Sequence, residues 1–240
     1  DAAFEKVLGK DGNEIYDEWS NFLKNDYRKR SEKVLSNLVT GEQIAKDGFG
    51  NFYPIFSKDG KKVYYISNKS SDHFGPAGIY GYDLETKEEK SIAGGVRSTF
   101  SFIPGQNKIV YAKISEDNKN SYNVHDLFIY DIDAEDETRI TYNMRANNPS
   151  ISNDGKKIVF LFQKDGTTNL GTTDIDGKNF KRLTFFENGE QVYNPKFSPD
   201  DSYIVFDYSY ANTRDIAKVN NEGGNIEFII ATDKDERNPD

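Results

Sequence analysis

The residues to weigh first for metal or acid–base chemistry are His73 and His125, and their placement favours neither. They fall in unrelated loop and strand-edge positions, and neither has a second histidine at metal-ligand spacing, so no metal site is expected. The absence of cysteine removes thiolate nucleophiles, Cys-ligated zinc and disulfides together. The sequence also lacks the Gly-x-Ser-x-Gly elbow, the His-Glu-x-x-His zinc motif and the Gly-x-x-x-x-Gly-Lys-Ser/Thr phosphate loop. Ser57-Lys58-Asp59-Gly60 and Ser152-Asn153-Asp154-Gly155 place a hydroxyl near a carboxylate, but the two side chains suit the capping of a tight turn that Gly closes. Asp131-Ile132-Asp133-Ala134-Glu135-Asp136-Glu137 and Asp174-Ile175-Asp176-Gly177 gather hard oxygen ligands. Neither matches the EF-hand loop, with its Gly at the sixth position and Glu at the twelfth, and solvated turns are the reading adopted for both. No catalytic residue, metal or cofactor is expected, and the chain is read as a non-enzyme.

What remains is recognition chemistry. Four segments, 46–53, 93–100, 142–148 and 185–194, are rich in large side chains: Phe49, Phe52, Tyr53, Arg97, Phe100, Tyr142, Met144, Arg145, Phe185, Phe186 and Tyr193. Aromatic and Arg side chains are the usual anchors of protein interfaces. The partner-binding set expected from them is Phe49, Phe52, Tyr53, Arg97, Phe100, Tyr142, Arg145, Phe186 and Tyr193. Large rings also fill cores, so about half of these positions are expected to pack internally instead.

The elements that would position this set come from a repeat. Tyr53-Pro54-Ile55-Phe56-Ser57-Lys58-Asp59-Gly60, Phe100-Ser101-Phe102-Ile103-Pro104-Gly105, Asn148-Pro149-Ser150-Ile151-Ser152-Asn153-Asp154-Gly155 and Asn194-Pro195-Lys196-Phe197-Ser198-Pro199-Asp200-Asp201 share one pattern. An apolar strand follows each: Val63-Tyr64-Tyr65-Ile66, Ile109-Val110-Tyr111-Ala112, Ile158-Val159-Phe160-Leu161 and Ile204-Val205-Phe206. The marker positions 56, 102, 151 and 197 lie 46, 49 and 46 residues apart, and Asn238-Pro239-Asp240 opens a fifth copy. A period of about 40–50 residues with several strands per unit means propeller blades, not helical solenoids. Third strands such as Gly78-Ile79-Tyr80-Gly81-Tyr82-Asp83 and Asp126-Leu127-Phe128-Ile129-Tyr130-Asp131 follow, then polar turns such as Asp176-Gly177-Lys178-Asn179. Short outer strands then end in Arg139-Ile140-Thr141 or Arg182-Leu183-Thr184. In such a unit the segments joining one outer strand to the next inner strand gather on one face, which is where the aromatic set falls.

The pattern resembles the TolB-like, or PD40 (WD40-like repeat), propellers of bacteria, whose blades carry Asn-Pro-x-Phe-Ser-Pro-Asp-Gly, an Asp-x-Asp-Gly turn and an Arg-Leu-Thr ending. The fourth unit matches best, with Asp201 in place of the expected Gly, and the second is degenerate. The resemblance covers about residues 45 to 240. It implies an all-β fold, a β-propeller with four recognisable four-stranded blades forming a partial ring.

An amphipathic helix is expected before the blades, over Glu14 to Arg30, with Ile15, Trp19, Phe22 and Leu23 as its stripe and Asp11-Gly12-Asn13 as its start. The helix is expected to pack on the propeller or on a neighbouring domain. Residues 32 to 45 read as a lone outer strand, Gln43-Ile44-Ala45 standing where other units have Arg-Leu-Thr. The domains expected are thus 1–31, helical, and 32–240, propeller. A net charge of -9, from 40 acidic and 31 basic residues without a long basic cluster, argues against nucleic acid. No apolar run approaches a membrane span of about 20 residues, so no membrane insertion is expected. The 35% hydrophobic fraction is thin, but 15 Tyr and 17 Phe supply buried area. The leading expectation is a binding module of the bacterial envelope, periplasmic or secreted, whose partner is a protein or peptide. The rival expectations are an accessory substrate-gating domain of a larger peptidase and a structural spacer in an envelope assembly.

Overall fold

The computed structural model describes residues 2–69, 77–115, 123–211 and 213–239, and His73 and Asp240 lie outside them. Two compact units divide the chain, 1–44 and 45–240. In the first, α1 (Ala2–Leu8) precedes α2 (Gly12–Leu35). Asp11 starts α2 as expected: its carboxylate accepts the Asn13 and Glu14 amides at 2.7 and 2.9 Å, and its own amide donates to Glu14 Oε2 at 3.1 Å, a capping box. The helix runs five residues past Arg30, because Ser31-Glu32-Lys33-Val34-Leu35 contains no breaker. The lone strand expected over 32–45 therefore does not form; its first residues are helical, and 36–50 has no strand. No residue of α2 is buried.

The second unit is four antiparallel blades. Blade 1 is β1 (Asn51–Phe56), β2 (Lys62–Ser67), β3 (Ala77–Asp83) and the first half of β4 (Glu89–Phe102). The second half of β4 is the inner strand of blade 2, with β5 (Lys108–Ser115), β6 (Val124–Asp131) and β7 (Asp136–Arg139), so these two blades form one seven-stranded sheet. Blade 3 is β8 (Asn147–Ile151), β9 (Lys157–Lys164), β10 (Thr167–Asp174) and β11 (Lys181–Arg182). Blade 4 is β12 (Gln191–Phe197), β13 (Tyr203–Tyr210), β14 (Thr213–Asn220) and β15 (Ile226–Ile230).

Three apolar clusters join these blades in a row. Tyr64, Ile66 and Ile79 of blade 1 meet Phe100, Ile109 and Tyr111 of blade 2. Val110, Ala112 and Leu127 meet Ile158 and Phe160 of blade 3, and Val159, Leu161 and Leu170 meet Ile204 and Phe206 of blade 4. Among the described residues no such cluster joins blade 4 to blade 1, so the piece is a partial propeller. Both faces of β5 are covered, which is why Ile109-Val110-Tyr111-Ala112 is a continuous apolar run, each residue fully buried. Burying one such side chain contributes about 1.5–3 kcal/mol.

The Ser-x-Asp-Gly element is a turn cap. Ser152 Oγ donates to Asp154 at 2.7 Å and accepts the Lys157 amide at 2.9 Å, and Asp154 accepts the Lys156 amide at 3.0 Å. Ser57 with Asp59 and Ser198 with Asp200 repeat the arrangement. The serine hydroxyl in each bond holds the carboxyl of Asp154 and of Asp200 down to about 2. A folded-state value below the unfolded one, near 4, favours folding above pH 4 and is lost as pH falls toward 2. We expect the urea midpoint to be level above about pH 5 and to fall between about pH 4 and 2. Replacing both with Asn flattens that limb; an acid limb as steep as the parent's contradicts the assignment. Asp207 acts in the opposite sense, since burial raises its carboxyl.

Asp201, the departure from the repeat's Gly, holds the left-handed φ of +57° that Gly would take. Its carboxylate reaches the turn of the preceding blade, accepting the Asn153 amide at 2.7 Å, Asn153 Nδ2 at 2.9 Å and the Asp154 amide at 3.0 Å. The substitution thus exchanges backbone ease for a clasp between blades 3 and 4.

Candidate protein-interaction face

Because the strands of each blade are consecutive and antiparallel, the first and third connections lie at one end of a blade. The second connection and the link to the next blade lie at the other. The four segments singled out in the sequence are those links. They are held by side chains of the third strands. Asp126, at the start of β6, is fully buried and accepts from Arg139 Nη2 at 2.7 Å and from Thr141 Oγ1, the Asn143 amide and the Met144 amide, each at 3.0 Å. Asn169 takes the same place in β10, accepting from Thr184 Oγ1 and the Phe186 amide at 2.9 Å and donating to the Phe186 carbonyl at 3.1 Å. The Arg-x-Thr endings complete the frame: Arg139 Nε donates to the Thr141 carbonyl at 2.9 Å, and Arg182 Nε to that of Thr184 at 2.7 Å.

Each of these guanidinium groups lies over an exposed ring, Arg139 over Tyr142 at 4.5 Å and Arg182 over Phe185 at 4.7 Å. In blade 4 Arg214 lies over Tyr193 at 3.9 Å. Such stacking fixes the ring while leaving its outer face to a ligand. Phe49, at 72% exposure, and Phe52 and Tyr53 are exposed, and the last two rings stand 6.4 Å apart. Arg97 and Arg145 are exposed as well. Neighbouring links are tied by the Asn148 amide, which donates to Ser98 Oγ at 3.1 Å, and the Ala146 amide holds its link to β6 by donating to the His125 carbonyl at 2.8 Å. Burial first, and the nearby charge of Arg97 second, push His125 down from its usual range.

Phe100 does not belong to this face. It is 2% exposed, inside the cluster between blades 1 and 2, because β4 runs without interruption through this link and turns the ring inward. Phe186 is half-buried against Tyr208, with ring centroids 5.2 Å apart, and so borders the face as much as it fills the gap. Tyr193 is half-buried beneath Arg214. Arg139 and Arg182, legible in the sequence only as strand endings, and Arg214, not singled out there, are what hold the rings. A signal existed in the constant 13-residue interval from Asp126 to Arg139 and from Asn169 to Arg182.

A bulge within the inner strands of blades 1, 3 and 4 shapes the same face. Asn148 and Asn194, preceding proline, take φ of +47° and +48°, a region Asn tolerates. Tyr53 holds the equivalent place with φ +54°. A left-handed non-Gly, non-Asn residue costs about 1–2 kcal/mol, so Tyr53→Asn is expected to raise stability by about 0.5–1 kcal/mol in urea unfolding. No gain there would mean that packing of the Tyr53 ring offsets the strain. Asp207 stands where the other second strands carry Ile66, Ala112 and Leu161. Fully buried, it accepts Asn194 Nδ2 at 3.0 Å and the Asn238 amide at 2.9 Å.

The family model described as TolB beta propeller domain matches residues 33–239. The chain belongs to that family. The Tol-Pal system protein TolB of Francisella tularensis subsp. mediasiatica is 27% identical over 155 residues, 64% of this chain and 34% of that protein. The chain therefore spans about a third of the length of that curated relative. Among solved structures, TolB from Acinetobacter baumannii superposes with a TM-score of 0.59 at 20% identity, covering 78% of this chain and 45% of that one. A puromycin-hydrolyzing peptidase of Mycobacterium tuberculosis matches with a TM-score of 0.58 at 11% identity, covering 79% and 30%. These two likenesses show the fold alone. Among the described residues no helix is long and apolar enough to cross a membrane.

Proposed function

We propose that this chain is a non-catalytic binding propeller of a bacterial envelope or secreted protein, and that it holds a protein or peptide on the face formed by its inter-blade links. The observation that carries the reading is the repeated pairing of an Arg with an exposed ring, Arg139 with Tyr142 and Arg182 with Phe185, each braced by a buried third-strand side chain. Anchors whose rotamers are fixed before binding lose less entropy on binding. The envelope setting is supported by the relatives' Tol-Pal names.

Peptides selected from an unbiased displayed library against the purified chain test this reading. Selected binders are expected to lose about tenfold or more in affinity when Phe49, Tyr142 and Tyr193 are replaced by alanine. Binders that tolerate the triple change, with the melting temperature kept, would remove the links from the binding surface.

A further inference from the structure

One face of α2 is apolar although none of its residues is buried. Ile15, Trp19, Phe22, Leu23, Tyr27 and Val34 are linked by steps of three, four and seven residues and so form one stripe, of which Trp19 is 55% exposed, Phe22 68% and Tyr27 60%. Asp26 and Arg30, which fall near its middle, pair with each other across one turn. So open a row of rings marks a contact surface, because helices draw most of their stability from covering such a face.

Charge gives the surface a direction. With every charged residue of α2 counted, 12–23 holds Glu14, Asp17 and Glu18 and no base, whereas 24–35 holds Lys24, Arg28, Lys29, Arg30 and Lys33 against Asp26 and Glu32, a net of -3 on one half and +3 on the other. Lys10 and Asp11, just before the helix, cancel. Glu18 is met by Lys10 and Arg30 by Asp26, while Asp17, Lys24, Arg28, Lys29 and Lys33 form no ion pair among the described residues. The helix dipole does not account for this division, since its effect is confined to the first and last turns, and Asp17, Lys24, Arg28 and Lys29 lie between them.

We infer that α2 is a self-association surface, docking antiparallel on α2 of a second copy of this chain. That alignment lays 12–23 of each helix along 24–35 of the other, so acidic and basic halves meet twice about one two-fold axis while the stripes face each other. A parallel pair would set like halves side by side. The rings supply the contact and the charges its direction, because exposed ion pairs add little energy but steer orientation. An anionic membrane surface fits less well, since half of the helix would carry -3 toward it. The inference is independent of the link face.

The test is sedimentation equilibrium of the whole chain between about 1 and 200 μM, with the emission of Trp19, the single tryptophan, as the local probe. A monomer–dimer equilibrium is expected, with Trp19 emission shifting to the blue as the dimer forms and dissociation rising as salt goes from about 50 to 500 mM. Trp19→Ala/Phe22→Ala and, separately, Asp17→Lys/Glu18→Lys should each weaken the dimer about tenfold or more. Adding Arg28→Glu/Lys29→Glu to the lysine pair reverses the sign of both halves and should tighten the dimer about threefold or more relative to the lysine pair alone. Lys58→Glu/Lys164→Glu, in the second unit, should associate as the parent does. Circular dichroism checks that each variant keeps its helix. A chain monomeric throughout this range, a dimer indifferent to the charge exchanges or tightened by salt, or a dimer that forms with no change in Trp19 emission would overturn the inference. A monomer whose Trp19 emission is already blue would overturn it in favour of the chain's own propeller, and a monomer that floats with anionic vesicles in favour of lipid.

Discussion

Asp126→Ala is expected to lower the unfolding free energy by about 3–5 kcal/mol, the range for removing one partner of a buried, hydrogen-bonded charge pair. The carboxylate is fully buried and satisfies a guanidinium, a hydroxyl and two backbone amides at once. Alanine strands all four donors, and Arg139, whose side chain is only 13% exposed, loses its counter-ion without gaining water. For a chain of this size the melting temperature should fall by roughly 6–20 °C. Asp126→Asn is the informative control. Asn169 does the same work in blade 3 with an amide, accepting from a hydroxyl and a backbone amide and donating to a carbonyl. An Asn at 126 is therefore expected to cost less than about 1.5 kcal/mol. Equal losses in the two variants would mean that the charge, and not the framing of the link, is what blade 2 requires.

The second large effect belongs to Gly177. Its φ of +81° is left-handed, and a Cβ there would stand 1.9 Å from the Ile140 carbonyl oxygen, a backbone atom of the preceding blade. Gly177→Ala must push blades 2 and 3 apart or rebuild the turn, at an expected cost of about 2–4 kcal/mol from overpacking and the left-handed penalty together. Gly223 repeats the contact more loosely, its Cβ falling 3.3 Å from the carbonyl of Leu183, which is the equivalent outer-strand residue. Gly223→Ala should cost measurably less. Chemical denaturation of the two variants checks the order; Gly223 as the more sensitive site would contradict the inter-blade reading.

The Gly177 contact shows where sequence reading ran out. Asp176-Gly177 is legible as a hairpin turn from local backbone chemistry alone. That the same Gly also admits the neighbouring blade is a tertiary fact with no local mark. The repeat itself was legible, because each blade must rebuild the same turn caps and apolar runs, and Ser152 with Asp154 does what its spacing implied. The blade-2 link was misread at Phe100, since a ring before an inner strand looks the same whether the link loops outward or continues as β4. The orphan strand after the first helix failed for a related reason: Gln43-Ile44-Ala45 suggests a strand only by standing where other units have Arg-Leu-Thr, and 36–50 has no strand. The exposed anchors were found by residue type, whereas their braces, Asp126 and Asn169, looked like ordinary polar positions at strand starts.

The most direct measurement is the hydrogen-exchange footprint of a selected peptide on the whole chain. The account predicts slowed exchange confined to 46–53, 93–100, 142–148 and 185–194, with the turns at 57–60, 152–155 and 198–201 unchanged. Protection centred on those turns, with the links exchanging as in the free chain, would contradict it.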